Sequence, residues 1–166
     1  AYGETNIAVT GKGTIDGQAS YDNWWVMKGR SATTAITQNA ARARLLEDSE
    51  NFVPVYKRLL GPQDGLCPQL KNFNSCSAIL IEGVTLKNSP FWVIHPLLCQ
   101  DMIVRGIYID SHGPNSDGCD PESSKNILIE NCYFNTGDDC IAIKSGRNAD
   151  GRKWNIPSEN IVVRNC

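Results

Sequence analysis

Four short runs along the chain carry one pattern of aliphatic and polar positions: ILIEGVTL from Ile79, MIVRGIYI from Met102, ILIENCYF from Ile127 and IVVRNC from Ile161. The fifth place of each run is Gly83, Gly106, Asn131 or Asn165, at intervals of 23, 25 and 34 residues. The last interval is long because NADGRKWNIP, from Asn148 to Pro157, is inserted there. A fixed period in this range marks a solenoid. The runs are too short and too rich in Ile, Val and Tyr for a helical repeat, and Asn, Gly, Ser and Asp separate them. They therefore predict an all-β protein, a parallel β-helix in which equivalent residues stack into ladders about 4.8 Å apart.

The same pattern divides the chain. NIAVTGKGTIDG, from Asn6 to Gly17, opens the solenoid with two short strands and turn glycines. The period is then lost over an insertion at 18–67 and resumes in regular coils over 68–166, the whole forming a single domain over 1–166. Within the insertion, Thr34 to Asn51 has Ala and Leu at helical spacing with Arg42 and Arg44 among them, which predicts a helix. Insertions in solenoids map to loops on one side, often the binding side. This one reads either as a wall closing one end of a cleft, which would confine attack to chain ends, or as a solvent-covered lid. Trp24 and Trp25 either stack on a ligand ring or cap the core.

Charge alters this picture little. The net charge is −2, with 16 basic and 18 acidic residues intermixed, so neither nucleic acid nor an anionic membrane surface is an expected partner. There is no apolar run of the length needed to span a bilayer, and no signal peptide. The seven cysteines do not suggest a disulfide framework. Cys76 and Cys99 share one repeat position, and Cys132 and Cys166 share another, as free thiols in an interior ladder would. None of them has the spacing of a zinc site.

Candidate chemistry comes from stacking. Ser116-Asp117-Gly118-Cys119 aligns without gaps on Asp138-Asp139-Cys140-Ile141, 22 residues later. Asp139 then lies over Asp117. Asp138 joins them only if the chain bends, because consecutive strand residues point to opposite faces. Gly137 permits the bend. Crowded carboxylates repel, so at least one is expected to have a raised pKa. A protonated acid beside an ionised one is the equipment of glycoside hydrolysis.

NSDG at Asn115 and GDDCIAIKSG at Gly137 resemble the NTDG and DD motifs of glycoside hydrolase family 28, the polygalacturonases and their relatives. The resemblance runs from about Asn6 to Cys166, through GKGTIDG and EGVTLKNSPFWVIHP. It implies a right-handed parallel β-helix that cleaves α-1,4-linked galacturonic acid in pectin, without a cofactor or metal and with inversion at the anomeric carbon. It also implies that Asp138 is the general acid, that Asp117 and Asp139 activate water, and that the protein is secreted or periplasmic. Ser116 replaces the commoner Thr. The histidine and Arg-x-Lys motifs that the family carries further on are not in these 166 residues, so the chain is expected to be the amino-terminal part of a catalytic domain.

Four further residues are candidates for substrate binding. His112 and Asn115 lie on the loop leading to Asp117, Lys144 aligns with Glu122 on the neighbouring coil, and Arg147 is a cation suited to a sugar carboxylate. Arg152 and Lys153, on the insert, have similar chemistry. His95, which aligns with Asp120, reads as a substrate contact or as a hydrogen-bonded structural residue. Three alternatives stand beside the galacturonan hydrolase. One is a rhamnogalacturonan hydrolase of the same family. Another is a calcium-dependent lyase using Asp117, Asp120, Glu122, Asp138 and Asp139 as hard ligands. The third is a non-catalytic sugar-binding module.

Overall fold

The computed structural model describes residues 1–28 and 36–166. In chain order the strands are β1 (Thr5–Thr10), β2 (Thr14–Asp16), β3 (Lys71–Asn74), β4 (Ser77–Glu82), β5 (Thr85–Lys87), β6 (Ile94–Leu97), β7 (Gln100–Arg105), β8 (Tyr108–Ser111), β9 (Lys125–Glu130), β10 (Tyr133–Thr136) and β11 (Glu159–Arg164). Among the described residues two α-helices, α1 (Asn39–Glu50) and α2 (Asn148–Trp154), lie outside this series. All strand pairs are parallel and fall into three sheets, ordered β1-β4-β7-β9-β11, β10-β8-β5-β2 and β3-β6. The chain is thus a right-handed parallel β-helix with one sheet on each of three faces.

Register turns the repeated runs into rungs. Ile7, Ile79, Met102, Ile127 and Ile161 stack on one inward position of the first sheet, and Val9, Ile81, Val104, Ile129 and Val163 on the next. From Ile79 to Ile129 these side chains are at most 2% exposed. Burying an aliphatic side chain of this size contributes about 1.5–3 kcal/mol, so the ladder is the main source of cohesion. Cys76, Cys99 and Cys132 are buried free thiols in the same interior, whereas Cys166, on the last coil, is exposed. Outside, Glu82, Arg105, Glu130 and Arg164 occupy one register and pair in alternation, with Arg105 2.6 Å and Arg164 2.6 Å from Glu130.

The anchor positions are corners. Gly83, Gly106, Asn131 and Asn165 all have φ between 54° and 75°. Gly and Asn enter this left-handed region at lowest cost, which explains why the fifth place of each run admits only these two types. A second corner uses Asn6, Asp101, Asn126 and Asn160, also left-handed. There Asn126 donates to Asp101 at 2.8 Å and Asn160 donates to Asn126 at 2.7 Å, so the corner residues bond along the stack.

The insertion leaves the coil after β2 and contains α1. Of the segment expected to hold a helix, Thr34 and Ala35 lie outside the described residues. Trp25 anchors one end: its indole N–H donates to Ser89 O at 2.9 Å, and a Cβ on Gly113 would fall 2.2 Å from that ring. In this placement the ring seats the insertion on a glycine of the coil and lines the recess beside it. The far end docks on α2. Arg58 grips Asp150 with two hydrogen bonds of 2.6 and 3.0 Å, and Arg152 grips Glu50 with two of 3.0 and 3.2 Å. The two irregular segments therefore pack on one another.

Candidate active site

The third face of the solenoid carries the aspartates. Beyond β3 and β6 its ladder continues through isolated parallel bridges, Ile94 to Cys119 to Ile141 and Leu97 to Glu122 to Lys144. Gly118 N–H donates to Asp139 O at 2.9 Å, which sets Asp117 beside Asp139 on adjacent coils. The chain bends at Gly137 and Asp138. A Cβ at Gly137 would come within 2.7 Å of the carbonyl oxygens of His112 and Gly113, so only glycine lets this turn pass so close to the preceding coil. The bend brings Asp138 to the same side as the other two. One carboxylate oxygen from each of Asp117, Asp138 and Asp139 lies within 4.8 Å of the others.

Their environments differ. Asp117 is 4% exposed, while Asp138 and Asp139 face solvent. Burial pushes the Asp117 carboxyl above its usual value, against the pull of Lys144, and the Asp138 charge adds a smaller upward push. Burial is therefore the first cause and crowding a lesser one, the reverse of the order expected from spacing. Asp138 Oδ1 accepts from the Asp139 N–H at 3.0 Å, and Asp138 Oδ2 from Asn115 Nδ2 at 3.2 Å. Asn115 Oδ1, Asp117 Oδ1 and Asp120 Oδ1 are buried with no hydrogen-bond donor among the described residues.

Behind the aspartates runs a buried polar chain. Lys144 Nζ lies 2.8 Å from Asp120 and 3.4 Å from Asp117, with the face of Trp92 4.5 Å away. Asp120 is fully buried, and this raises its carboxyl to about 7, with Lys144 opposing. His95 accepts or donates between Asn72 at 3.0 Å and Glu122 at 2.9 Å, and its ring is edge-on to Trp92. His95 is thus buried and held at both ring nitrogens, which is the structural reading. Although Glu122 and Lys144 share a register, they do not pair with each other. Glu122 takes His95, and Lys144 turns to the deeper Asp120, because a carboxylate excluded from water gains more from a cation than one near the surface. Five carboxylates do not converge as the lyase alternative needs: among the described residues the oxygens that gather within 4.8 Å come from Asp117, Asp138 and Asp139. Three remain that could hold a cation or a water.

The other candidates separate. Asn115 and Arg147 line a cleft of about 480 Å³ together with Lys28, Gln38, Arg42, Phe91 and Trp92. Phe91 and Trp92 stack at 4.8 Å. His112 lies in a different recess beside Tyr21, Trp25 and Gly137, with Nε2 3.0 Å from Asp110. Arg152 is occupied by Glu50. Gln38 and Lys28 were not anticipated at the cleft. Their only signal was position within an insertion, since nothing in the repeat pattern reports which coil an irregular segment covers.

The family model for glycosyl hydrolases family 28 matches residues 61–165, more than half of the chain. The chain belongs to this family. It superposes on a hyperthermoactive exopolygalacturonase of Thermotoga maritima with a TM-score of 0.95 at 45% identity, over 99% of this chain and 38% of that one. It is 38% identical to a probable polygalacturonase of Vitis vinifera over 99 residues, which is 58% of this chain and 20% of the relative. A probable polygalacturonase of Arabidopsis thaliana is 30% identical over 181 aligned positions, covering 96% of this chain and 31% of the relative. The chain thus spans less than two fifths of the length of the family members it matches.

Proposed function

We propose that this family 28 chain carries the acid-base centre of a hydrolase acting on α-1,4-linked galacturonic acid in pectin. The observation that carries the proposal is the meeting of Asp117, Asp138 and Asp139 within 4.8 Å on one outer face. In the proposed reaction Asp138 gives its proton to the glycosidic oxygen as that bond breaks. Asp117 and Asp139 hold a water molecule and accept its proton as the new carbon–oxygen bond forms. Asn115 orients Asp138 through its 3.2 Å contact. Lys144 acts as the counter-ion that keeps Asp117 and Asp120 in place and touches substrate at most with its exposed quarter. His112 is proposed as a more remote sugar contact and Arg147 as a nearer one.

Inversion rests on the family resemblance. The 4.8 Å within which one oxygen of each aspartate lies is a nearest-atom distance, whereas inverting and retaining pairs differ in the separation of whole carboxyl groups, roughly 6.5–9.5 Å against roughly 5–5.5 Å, so it does not decide between them. Attack at chain ends is supported by the insertion that walls the cleft and by the likeness to the exopolygalacturonase of Thermotoga maritima. A polymer of plant cell walls is met outside the cytoplasm, which supports a secreted or periplasmic location. Among the described residues no helix is long and apolar enough to cross a membrane.

A proton NMR time course with trigalacturonate tests the reading. The expected first product is the reducing-end sugar of inverted configuration, with monomer released from the start. Olefinic signals would replace hydrolysis by elimination. A retained anomer would overturn the roles of Asp117 and Asp139.

A further inference from the structure

The cleft beside the aspartates is built from three parts of the chain that are distant in sequence. The insertion contributes Lys28, Gln38 and Arg42, the coil contributes Phe91, Trp92 and Asn115, and the second irregular segment contributes Arg147 at the threshold of α2. Its three cations face a site whose own charge is strongly negative, since Asp117, Asp138 and Asp139 lie beyond Asn115. Lys28 also sits 6.0 Å from the Phe91 ring, and Arg42 and Arg147 are both exposed. A volume of about 480 Å³ falls within the roughly 300–1,000 Å³ of small-molecule sites.

Nothing in the solenoid repeat requires cations here. The neighbouring basic residues are spoken for: Arg58 by Asp150, Arg152 by Glu50, and Arg44 by Asp64. Those three pairs fix α1 to α2 and to the rest of the insertion. They also hold the two segments so that Arg42 and Arg147 open on one cavity. Two arginines lining one cleft suit a planar anion attached to a sugar ring, because guanidinium binds a carboxylate through two parallel hydrogen bonds.

We propose that Arg42 and Arg147, supplied by the two irregular segments, form a subsite for the carboxylate of one galacturonate unit, with Phe91 and Trp92 in the wall beside it. This rests on the galacturonan reading and adds to it the residues that distinguish an acidic sugar from a neutral one. The subsite requires that both segments be docked, so Arg58 and Asp150 position it without touching substrate.

The test is calorimetric titration of the Asp138→Asn protein, which prevents turnover, with trigalacturonate and separately with a neutral trimer of galactose. Arg42→Gln and Arg147→Gln are each expected to weaken trigalacturonate binding about tenfold, to lessen its dependence on salt, and to leave any binding of the neutral trimer unchanged. Arg42→Lys should recover part of the loss. Both sites are exposed, and unchanged thermal melting would verify the fold. Trigalacturonate affinity unaltered in both glutamine variants would overturn the subsite while leaving the hydrolase reading intact. An equal loss for the neutral trimer would overturn it too, because the arginines would then be shaping the cleft. If the unsubstituted protein neither bound nor cleaved trigalacturonate, the galacturonan reading would fall and the subsite with it.

Discussion

The coils and the insertion are held by different forces. In the coils, each inward side chain meets its equivalents above and below, and the rungs from Ile79 to Ile129 are almost entirely shielded from water. Among its described residues the insertion has no such rungs. Within α1 only Ala41 and Ser49 are buried, and the segment is fastened by Trp25 on Gly113 and by the Arg58–Asp150 and Glu50–Arg152 pairs. A periodic core gives many weak, equivalent contacts, whereas the insertion depends on a few specific ones. With Asp117, Asp138 and Asp139 on the first and Arg42 on the second, the proposed site would combine a rigid centre with a wall held by few contacts.

The largest expected effect is on chemistry. Asp138→Asn keeps the shape of the side chain and removes its proton, and turnover should fall by about 10²–10⁴-fold with unchanged circular dichroism. Near-normal turnover would remove Asp138 from the role of acid. Next is Gly137→Ala, in which a methyl group would meet two carbonyl oxygens at 2.7 Å. It should lower kcat severely while the first sheet remains protected from hydrogen exchange, since the strain falls on the bend that carries Asp138.

On stability, Ile129→Ala should cost about 2–5 kcal/mol in denaturant unfolding, because Ile129 is fully buried between Val104 and Val163. Arg58→Met should cost about 1.5–3 kcal/mol, because it removes a two-bond grip on Asp150, and should speed exchange in α1 and α2 alone. Equal costs for the two would erase the contrast between a periodic core and a clamped insertion.

A further effect is a pH dependence. Asp120 is raised to about 7 from 3.8, so the folded chain holds this proton more tightly than the unfolded chain. Its contribution favours folding most below 3.8 and is lost as pH rises through about 7. Asp120→Asn should flatten the stability profile across that window, and an unchanged profile would assign the dependence to other groups.

Much of the coil was legible in the linear pattern. Gly83, Gly106, Asn131 and Asn165 marked the corners, and the 22-residue offset aligned Asp117 with Asp139. The alternation of Glu82, Arg105, Glu130 and Arg164 was present at one register and could have been read as a paired outer ladder. What the pattern did not contain was the choice made by each polar side chain. Lys144 aligns with Glu122 yet bonds to Asp120, and Arg58 finds Asp150 across 92 residues.

Sequence alone determined the period, the solenoid and the carboxylates that share a face, because in a repeat each residue's neighbours are set by counting. Tertiary structure decided where the insertion lies, which cations reach the cleft, and which aspartate is buried. Those outcomes depend on solvent exclusion and on competition among several charged partners, and neither is encoded by spacing.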